Sequence, residues 1–129
     1  MDKISFSIPL CPVTKKNSNE RTRDGRIIAS KAYRQYEHDA LRVIPPKVRK
    51  HISCPVNVQA IYYTKIDYTV GKARIDLTNL HNALCDVLVA AGVLADDNCR
   101  IIVSMDGSRV RCDKKNPRTE VTITETVRW

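Results

Sequence analysis

One amphipathic segment, residues 77–91, constrains the fold of this chain more than any other feature. On a helical wheel at about 100° per residue, its apolar side chains share one arc of roughly 100°. These side chains are Leu77, Leu80, Leu84, Val87, Leu88 and Ala91. A stripe of this kind must be buried against a second layer, and Gly92 follows as a residue type that commonly ends helices. The segment therefore predicts a helix packed on a core.

Polar residues lie on one flank of the same predicted helix. Asp76, Asn79, Asn82 and Asp86 occupy the wheel positions beside the stripe, and Asp96-Asp97 follow after the helix ends. Taken singly, these acids have ordinary roles. Asp76 is a common type of helix cap, Asp86 can be a solvated side chain, and Asp96-Asp97 can belong to a polar turn.

The other segments predict a small sheet and one more helix. Alternating or β-branched patterns predict strands over 3–10, 56–66, 99–105 and 118–127, and Ser30 can cap a helix over 31–44 that Pro45-Pro46 ends. The order β-α-β-α-β-β predicts an α+β (mixed α/β) fold, a small β-sheet with two main helices. With 129 residues and no linker or repeat, we expect a single domain over 1–129.

The net charge of +8 is concentrated near the N-terminus and suggests an anionic partner. Residues 14–50 hold eleven Lys and Arg against four Asp and Glu, a net of +7, whereas residues 51–129 hold ten against nine. Residues 11–29 show no apolar period, so we expect a mobile basic arm. We predict that it contacts DNA phosphates through Lys15, Lys16, Arg21, Arg23 and Arg26.

Cysteine usage and hydropathy bear on the compartment. The five cysteines are odd in number and form no CxxC pair, so we expect free thiols and a cytoplasmic location. His81, Cys85, Cys99 and Cys112 leave a zinc site as an alternative, although the usual short spacings are missing. No apolar run reaches the length of about 18 residues that a transmembrane helix needs, so no such helix is expected. Of the two anionic partners that the charge suggests, nucleic acid ranks first and a membrane surface second, and we expect no membrane partner.

The acids and the basic arm together form the pattern of a metal-dependent nuclease. Phosphodiester hydrolysis needs a divalent cation, and Mg²⁺ prefers oxygen ligands such as carboxylates. A helix over 77–91 is roughly 22 Å long, and the six residues after it span at most about 20 Å. Asp97 therefore reaches Asp76 only if the chain doubles back along the helix or if the two acids meet across a dimer interface.

The pattern R-x-D-L-x-N-L-x-x-A-L-x-D-x-L followed by G-V-x-x-D-D, from Arg74 to Asp97, resembles the RusA family of Holliday-junction resolvases. The resemblance implies a small homodimer of mixed α/β architecture that binds four-way junctions. It implies Mg²⁺, with Mn²⁺ as a substitute, and paired nicks in DNA recombination and repair. It also implies Asp76 and Asp97 as metal ligands, in the cytoplasm of a bacterial or phage-infected cell.

Two positions depart from the family pattern. Thr78 stands where the family usually has a second Asp, and Asn82 stands where it usually has a lysine. Asp86 and Asp96 are candidate replacements for the carboxylate, and the Thr78 hydroxyl can hold a water molecule. Lys72 and Arg74 are candidates for the missing charge and are also predicted to bind DNA. The predicted catalytic set is therefore Asp76, Asp97, Asp96, Thr78 and Asp86. The alternative is a non-catalytic, structure-specific DNA-binding module with an impaired active site.

Overall fold

In a computed structural model, the chain is described over residues 3–15, 19–21, 27–29 and 31–127. Within these ranges there are two α-helices, α1 (Lys31–Val43) and α2 (Leu77–Ala90), and a short 3₁₀ helix at Pro46–Val48. The strands are β1 (Ile4–Ile8), β2 (Asn19–Arg21), β3 (Ile27–Ala29), β4 (Val56–Thr64), β5 (Ile102–Ser104), β6 (Arg109–Cys112) and β7 (Arg118–Glu125). The α+β class is thus confirmed.

The main sheet is built around β4. One edge of β4 pairs antiparallel with β7, which pairs antiparallel with β1. The other edge pairs parallel with β5 near its start and with β6 near its end. Because β4 and β5 are parallel, the chain between them must cross over, and α2 forms this crossover. The helix therefore begins near the C-terminal end of β4 and ends near its N-terminal end.

The sheet has one buried and one partly open face. In β4, Val56, Val58, Ala60 and Tyr62 are buried, whereas the residues between them are half-buried. The core joins these buried side chains to the inner faces of α1 and α2, including Leu80, Leu84 and Leu88, which belong to the predicted stripe. We call the opposite side, which carries Gln59, Ile61 and Tyr63 of β4, the outer face of the sheet.

A bulged joint separates β5 from β6. The Asn57 side chain accepts a hydrogen bond from the Asp106 backbone N–H at 2.8 Å and donates one to the Asp106 carbonyl at 3.2 Å. Ser108 Oγ accepts one from the Ala60 N–H at 3.0 Å. Gly107 has a φ of 85°, and a Cβ there would lie 2.7 Å from the Gln59 side-chain oxygen. The side chains of Asn57 on β4 and Ser108 in the joint thus complete the hydrogen bonding that the interrupted ladder lacks.

Two parts of the predicted layout need correction. The predicted strand order omitted β6, because its Arg109 and Arg111 side chains leave no apolar alternation to detect. The arm over 11–29 was predicted to lack regular structure, yet β2 and β3 form an antiparallel hairpin in which Asn19 faces Ala29. The β-branched Ile27-Ile28 pair favours such a strand.

Candidate active site

The α2 helix begins with a carboxylate that does not cap it. Asp76 occupies the N-cap position with φ −99° and ψ 129°, but its side chain makes no capping hydrogen bond. Its Oδ2 instead accepts a hydrogen bond from Asn79 Nδ2 at 3.1 Å. Asn79 is buried and Asp76 is exposed, so a fixed amide orients a solvent-facing carboxylate. Anionic oxygens of this kind are available to a hard cation.

The carboxylates of Asp96 and Asp97 have different surroundings. Asp96 accepts hydrogen bonds from the Asp97 backbone N–H at 2.7 Å and from Asn98 Nδ2 at 3.0 Å. The backbone bond, followed by the amide bond, lowers the pKa of the Asp96 carboxyl. Asp96 therefore organises the polar turn after α2, while the exposed carboxylate of Asp97 projects from that turn.

The electrostatics of Cys85 locate the Asp97 carboxylate. Burial raises the pKa of the Cys85 thiol to about 11, and the charges of Asp97 and then Asp86 add to the increase. The chain therefore turns back after α2 far enough for the Asp97 charge to act on a thiol in the middle of that helix.

Asp86, predicted as a reserve catalytic acid, lies in an ion pair. Its Oδ2 is 2.7 Å from Lys15 Nζ, and both side chains are partly exposed. The hydrogen bond from Lys15 to Asp86 is the main cause of the raised pKa of Lys15. The same ammonium group lies 5.7 Å from the centroid of the Tyr33 ring. The start of the basic arm is thus attached to the polar flank of α2.

His81 is held by the sheet and not by a metal cluster. Its Nδ1 lies 2.6 Å from the buried Tyr62 hydroxyl, which donates the hydrogen bond when His81 carries its proton on Nε2. Burial lowers the pKa of His81. Within the described residues, no group of three or more His, Cys, Asp or Glu could hold a metal ion. Cys112 Sγ instead faces the Lys65 carbonyl at 3.9 Å. The described chain therefore provides no zinc site of the kind the sequence left open.

The family model described as Endodeoxyribonuclease RusA matches residues 9–124, which is most of the chain. The chain belongs to the RusA family. It is accordingly an endodeoxyribonuclease of the class that resolves Holliday junctions. RusA nucleases bind DNA junctions and generally depend on a divalent metal. No curated protein matches the sequence.

The two departures from the RusA family pattern lie on the same helix. Thr78 and Asn82 are both exposed on the polar flank of α2. Asn82, which stands where the family usually has a lysine, precedes Asp86 by one helical turn. Because Lys15 is bonded to Asp86, its ammonium group is held close to that position. The sequence alone offered Lys72 and Arg74 for this charge. Lys15 was predicted only as part of the arm.

The other predicted basic residues are partly accounted for. Lys72 is exposed, and Arg74 donates hydrogen bonds to the Gly71 and Ala73 carbonyls at 2.8 and 3.0 Å, which braces the loop before α2. Lys16, Arg23 and Arg26 lie outside the described residues, and Arg21 is described only as part of β2. Neither of the described helices is long and apolar enough to span a membrane.

Sequence reasoning missed one basic region. Residues 109–118 hold five Lys and Arg against one Asp, a net of +4, but the average over 51–129 concealed them. A count over windows of ten residues would have found this cluster. Its arginines include Arg109 and Arg111 on β6, which pairs with the second half of β4.

Proposed function

We propose that this RusA protein is a Mg²⁺-dependent endonuclease that cuts four-way DNA junctions by paired nicks as a homodimer. The observation that carries the proposal is the state of Asp76. An Asp at a helix N-cap normally accepts a bond from the backbone of the first turn. Here the buried Asn79 amide holds the carboxylate away from that role and leaves it facing solvent.

The donor atoms fit a hard divalent cation. Asp76 and Asp97 both offer exposed carboxylate oxygens, the ligands that Mg²⁺ prefers and that Mn²⁺ also accepts. A bound cation would supply the positive charge that offsets charge developing on the scissile phosphate. We assign Asp76 and Asp97 as the metal ligands, and Asp96 as the residue that fixes the turn carrying Asp97.

The departures at positions 78 and 82 are compensated by neighbouring groups in this proposal. The exposed Thr78 hydroxyl can donate to and accept from water, so it holds a water molecule near Asp76 without adding negative charge. Lys15, attached to Asp86, supplies the cation that Asn82 does not. Asp86 is then a positioning residue for Lys15, and its carboxylate is already neutralised by that lysine.

An active site shared between two subunits is one of two arrangements that α2 allows. One Mg²⁺ binds its ligands at about 2.1 Å, so two carboxylates on one ion must approach within a few ångströms. Asp76 stands at the start of α2, and Asp97 follows the other end of this helix of 14 residues, which is roughly 21 Å long. The two acids meet within one subunit if the chain turns back along α2, or across a two-fold axis, which would give two equal sites for two nicks.

The first experiment compares wild type with Asp76→Asn and Asp97→Asn on a synthetic four-way junction, with a linear duplex as control substrate. Asp39→Asn on α1 is the matched variant, since it removes one carboxylate whose oxygen accepts a bond from Gln35. We expect wild type and Asp39→Asn to make paired nicks in Mg²⁺. We expect Asp76→Asn and Asp97→Asn to make none, although both still bind the junction. Junction binding without cleavage by wild type, in Mg²⁺ or Mn²⁺, would instead identify a non-catalytic binding module, in which neighbouring groups do not compensate for Thr78 and Asn82.

A mixing experiment tests the shared site. If each site combines Asp76 of one subunit with Asp97 of the other, a heterodimer of the two inactive variants contains one intact site. Mixing Asp76→Asn with Asp97→Asn under conditions of subunit exchange should then restore single nicks. If each site lies within one subunit, every site in the mixture stays defective and no activity returns.

A further inference from the structure

The outer face of the sheet carries an open groove between β4 and β6. The groove has a volume of about 640 Å³, and Gln59, Ile61 and Tyr63 of β4 form one side of it. Arg109 and Arg111 of β6 form the other side. This face is opposite the layer of α1 and α2, and therefore distinct from the polar flank of α2 that carries the candidate active site.

The two β6 arginines differ from the other arginine at this face. Arg118 Nε lies 3.0 Å from Glu120 and its Nη1 lies 2.9 Å from Asp113, so both nearby acids are occupied. Its guanidinium also stacks on Tyr63 with Cζ 3.9 Å from the ring centroid. By contrast, Arg109 and Arg111 are exposed, and their guanidinium groups make no hydrogen bond or ion pair within the described part of the chain.

The unpaired arginines are spaced for an extended polyanion. Residues two apart on a strand point to the same face and lie roughly 6.6 Å apart along it. Lys114 and Lys115 follow at the end of β6 and are also exposed. Like charges packed this closely repel one another unless an anion lies across them. A planar guanidinium is also well suited to phosphate oxygens, which it binds with two parallel hydrogen bonds.

The groove adjoins a smaller cavity beside the start of α2. Arg111 and Cys112 line both, and Ile75 also lines the smaller cavity, whose volume is about 160 Å³. Ile75 immediately precedes Asp76. A DNA backbone that follows β6 past Arg109 and Arg111 would therefore arrive at the end of the sheet where the proposed metal ligand stands.

We propose that the outer face of the sheet is a second DNA-binding surface, on which Arg109 and Arg111 bind the phosphates of a duplex arm of the junction. The proposal rests on the proposed function, because it extends the path of the same substrate. Binding is through the backbone and not through bases, since the charged groups of the groove are two guanidiniums suited to phosphate oxygens. The other polar side-chain groups that line it are the Gln59 amide, the Tyr63 hydroxyl and the Cys112 thiol.

The test uses Arg109→Gln/Arg111→Gln in the full-length protein, with junction affinity measured without divalent metal at several salt concentrations. Each phosphate contact contributes about 0.9 to the slope of log affinity against log salt. We expect the double variant to bind roughly ten-fold more weakly and to lower that slope by about 2. Arg42→Gln/Lys47→Gln is the matched control, because it removes two exposed charges from α1 and the 3₁₀ helix. It should retain wild-type affinity and slope.

Two further measurements make the outcome decisive. Arg109→Lys/Arg111→Lys keeps both charges and should keep most of the salt slope. Sedimentation of the glutamine double variant should give the same mass as wild type. A smaller mass would overturn the proposal, because the face would then be a subunit interface. Unchanged affinity and slope would also overturn it while leaving the proposed function intact. Failure of wild type to bind any junction would refute the proposed function instead.

Discussion

The two ends of α2 are built in opposite ways. At the C-terminal end, Gly92 adopts a φ of 76°, and Val93 and Gly92 donate backbone hydrogen bonds to Leu88 and Val89 at 2.9 and 3.0 Å. This Schellman arrangement satisfies carbonyls that a helix end otherwise leaves open. At the N-terminal end, the Asp76 side chain leaves the backbone of the first turn uncapped. One end thus contributes to stability, while the other keeps its best hydrogen-bonding group available for another partner.

The largest effect is expected at the N-terminal end. Asp76→Ala should reduce junction cleavage by at least about a hundred-fold, because it removes a proposed metal ligand. It should lower the free energy of unfolding by about 1 kcal/mol, because the buried Asn79 amide loses its acceptor even though no capping bond is lost. Cleavage assays and urea denaturation measure the two quantities. Undiminished cleavage by Asp76→Ala would contradict the assignment of Asp76 as a metal ligand.

The C-terminal end should respond in the reverse manner. Gly92→Ala should lower the free energy of unfolding by about 1–2 kcal/mol, since φ is positive there and the new Cβ would lie 3.0 Å from His51 Nε2. Gly71→Ala is the matched control, because φ is 75° but no atom lies within 4 Å of the added Cβ. Gly71→Ala should lower the free energy of unfolding by less than Gly92→Ala does, because the loop around Gly71 can relax. Equal losses measured by urea denaturation would mean that the His51 contact is unimportant.

A smaller effect is expected in the middle of the helix. Asp86→Asn breaks a partly exposed ion pair with Lys15, so it should cost less than about 1 kcal/mol of stability. Cleavage should fall by about ten-fold or less, and Lys15→Gln should reproduce most of that loss. A double-mutant cycle on cleavage rates measures the coupling. A loss at Asp86 as large as that at Asp76, with no effect at Lys15, would mark Asp86 as a metal ligand.

The smallest effect concerns pH. Burial depresses the pKa of His81 in the folded state, so the unfolded chain binds more protons as the pH falls below about 6.5. Stability should be fully present above that pH and should decline as the pH falls toward the folded pKa. Melting temperatures from pH 7.5 to 5 for wild type and His81→Gln would measure this. The substitution should flatten the acid side of the profile, and identical profiles would exclude a contribution from His81.

The local patterns of the chain were sufficient for much of the fold. The apolar stripe of α2, its end at Gly92, the strands around β1, β4 and β7 and the α+β class are all confirmed. These features depend on periodicity and on the conformational preferences of single residues, which sequence displays directly. The sequence did not predict short or charged elements such as β6 and the β2–β3 hairpin. These strands form because a partner strand is present, and local patterns do not show that.

The sequence by itself determined the family, the helix that carries Asp76 and the residue types gathered near it. Only the tertiary structure decided how those residues are employed. Lys15 and Asp86 are 71 positions apart in the chain, and no periodicity could reveal that they form an ion pair. The orientation of Asp76 depends on a buried amide, and the acids Asp113 and Glu120 pair with Arg118. Such pairings are set by packing between distant segments, whereas sequence patterns report only neighbours along one helix or strand.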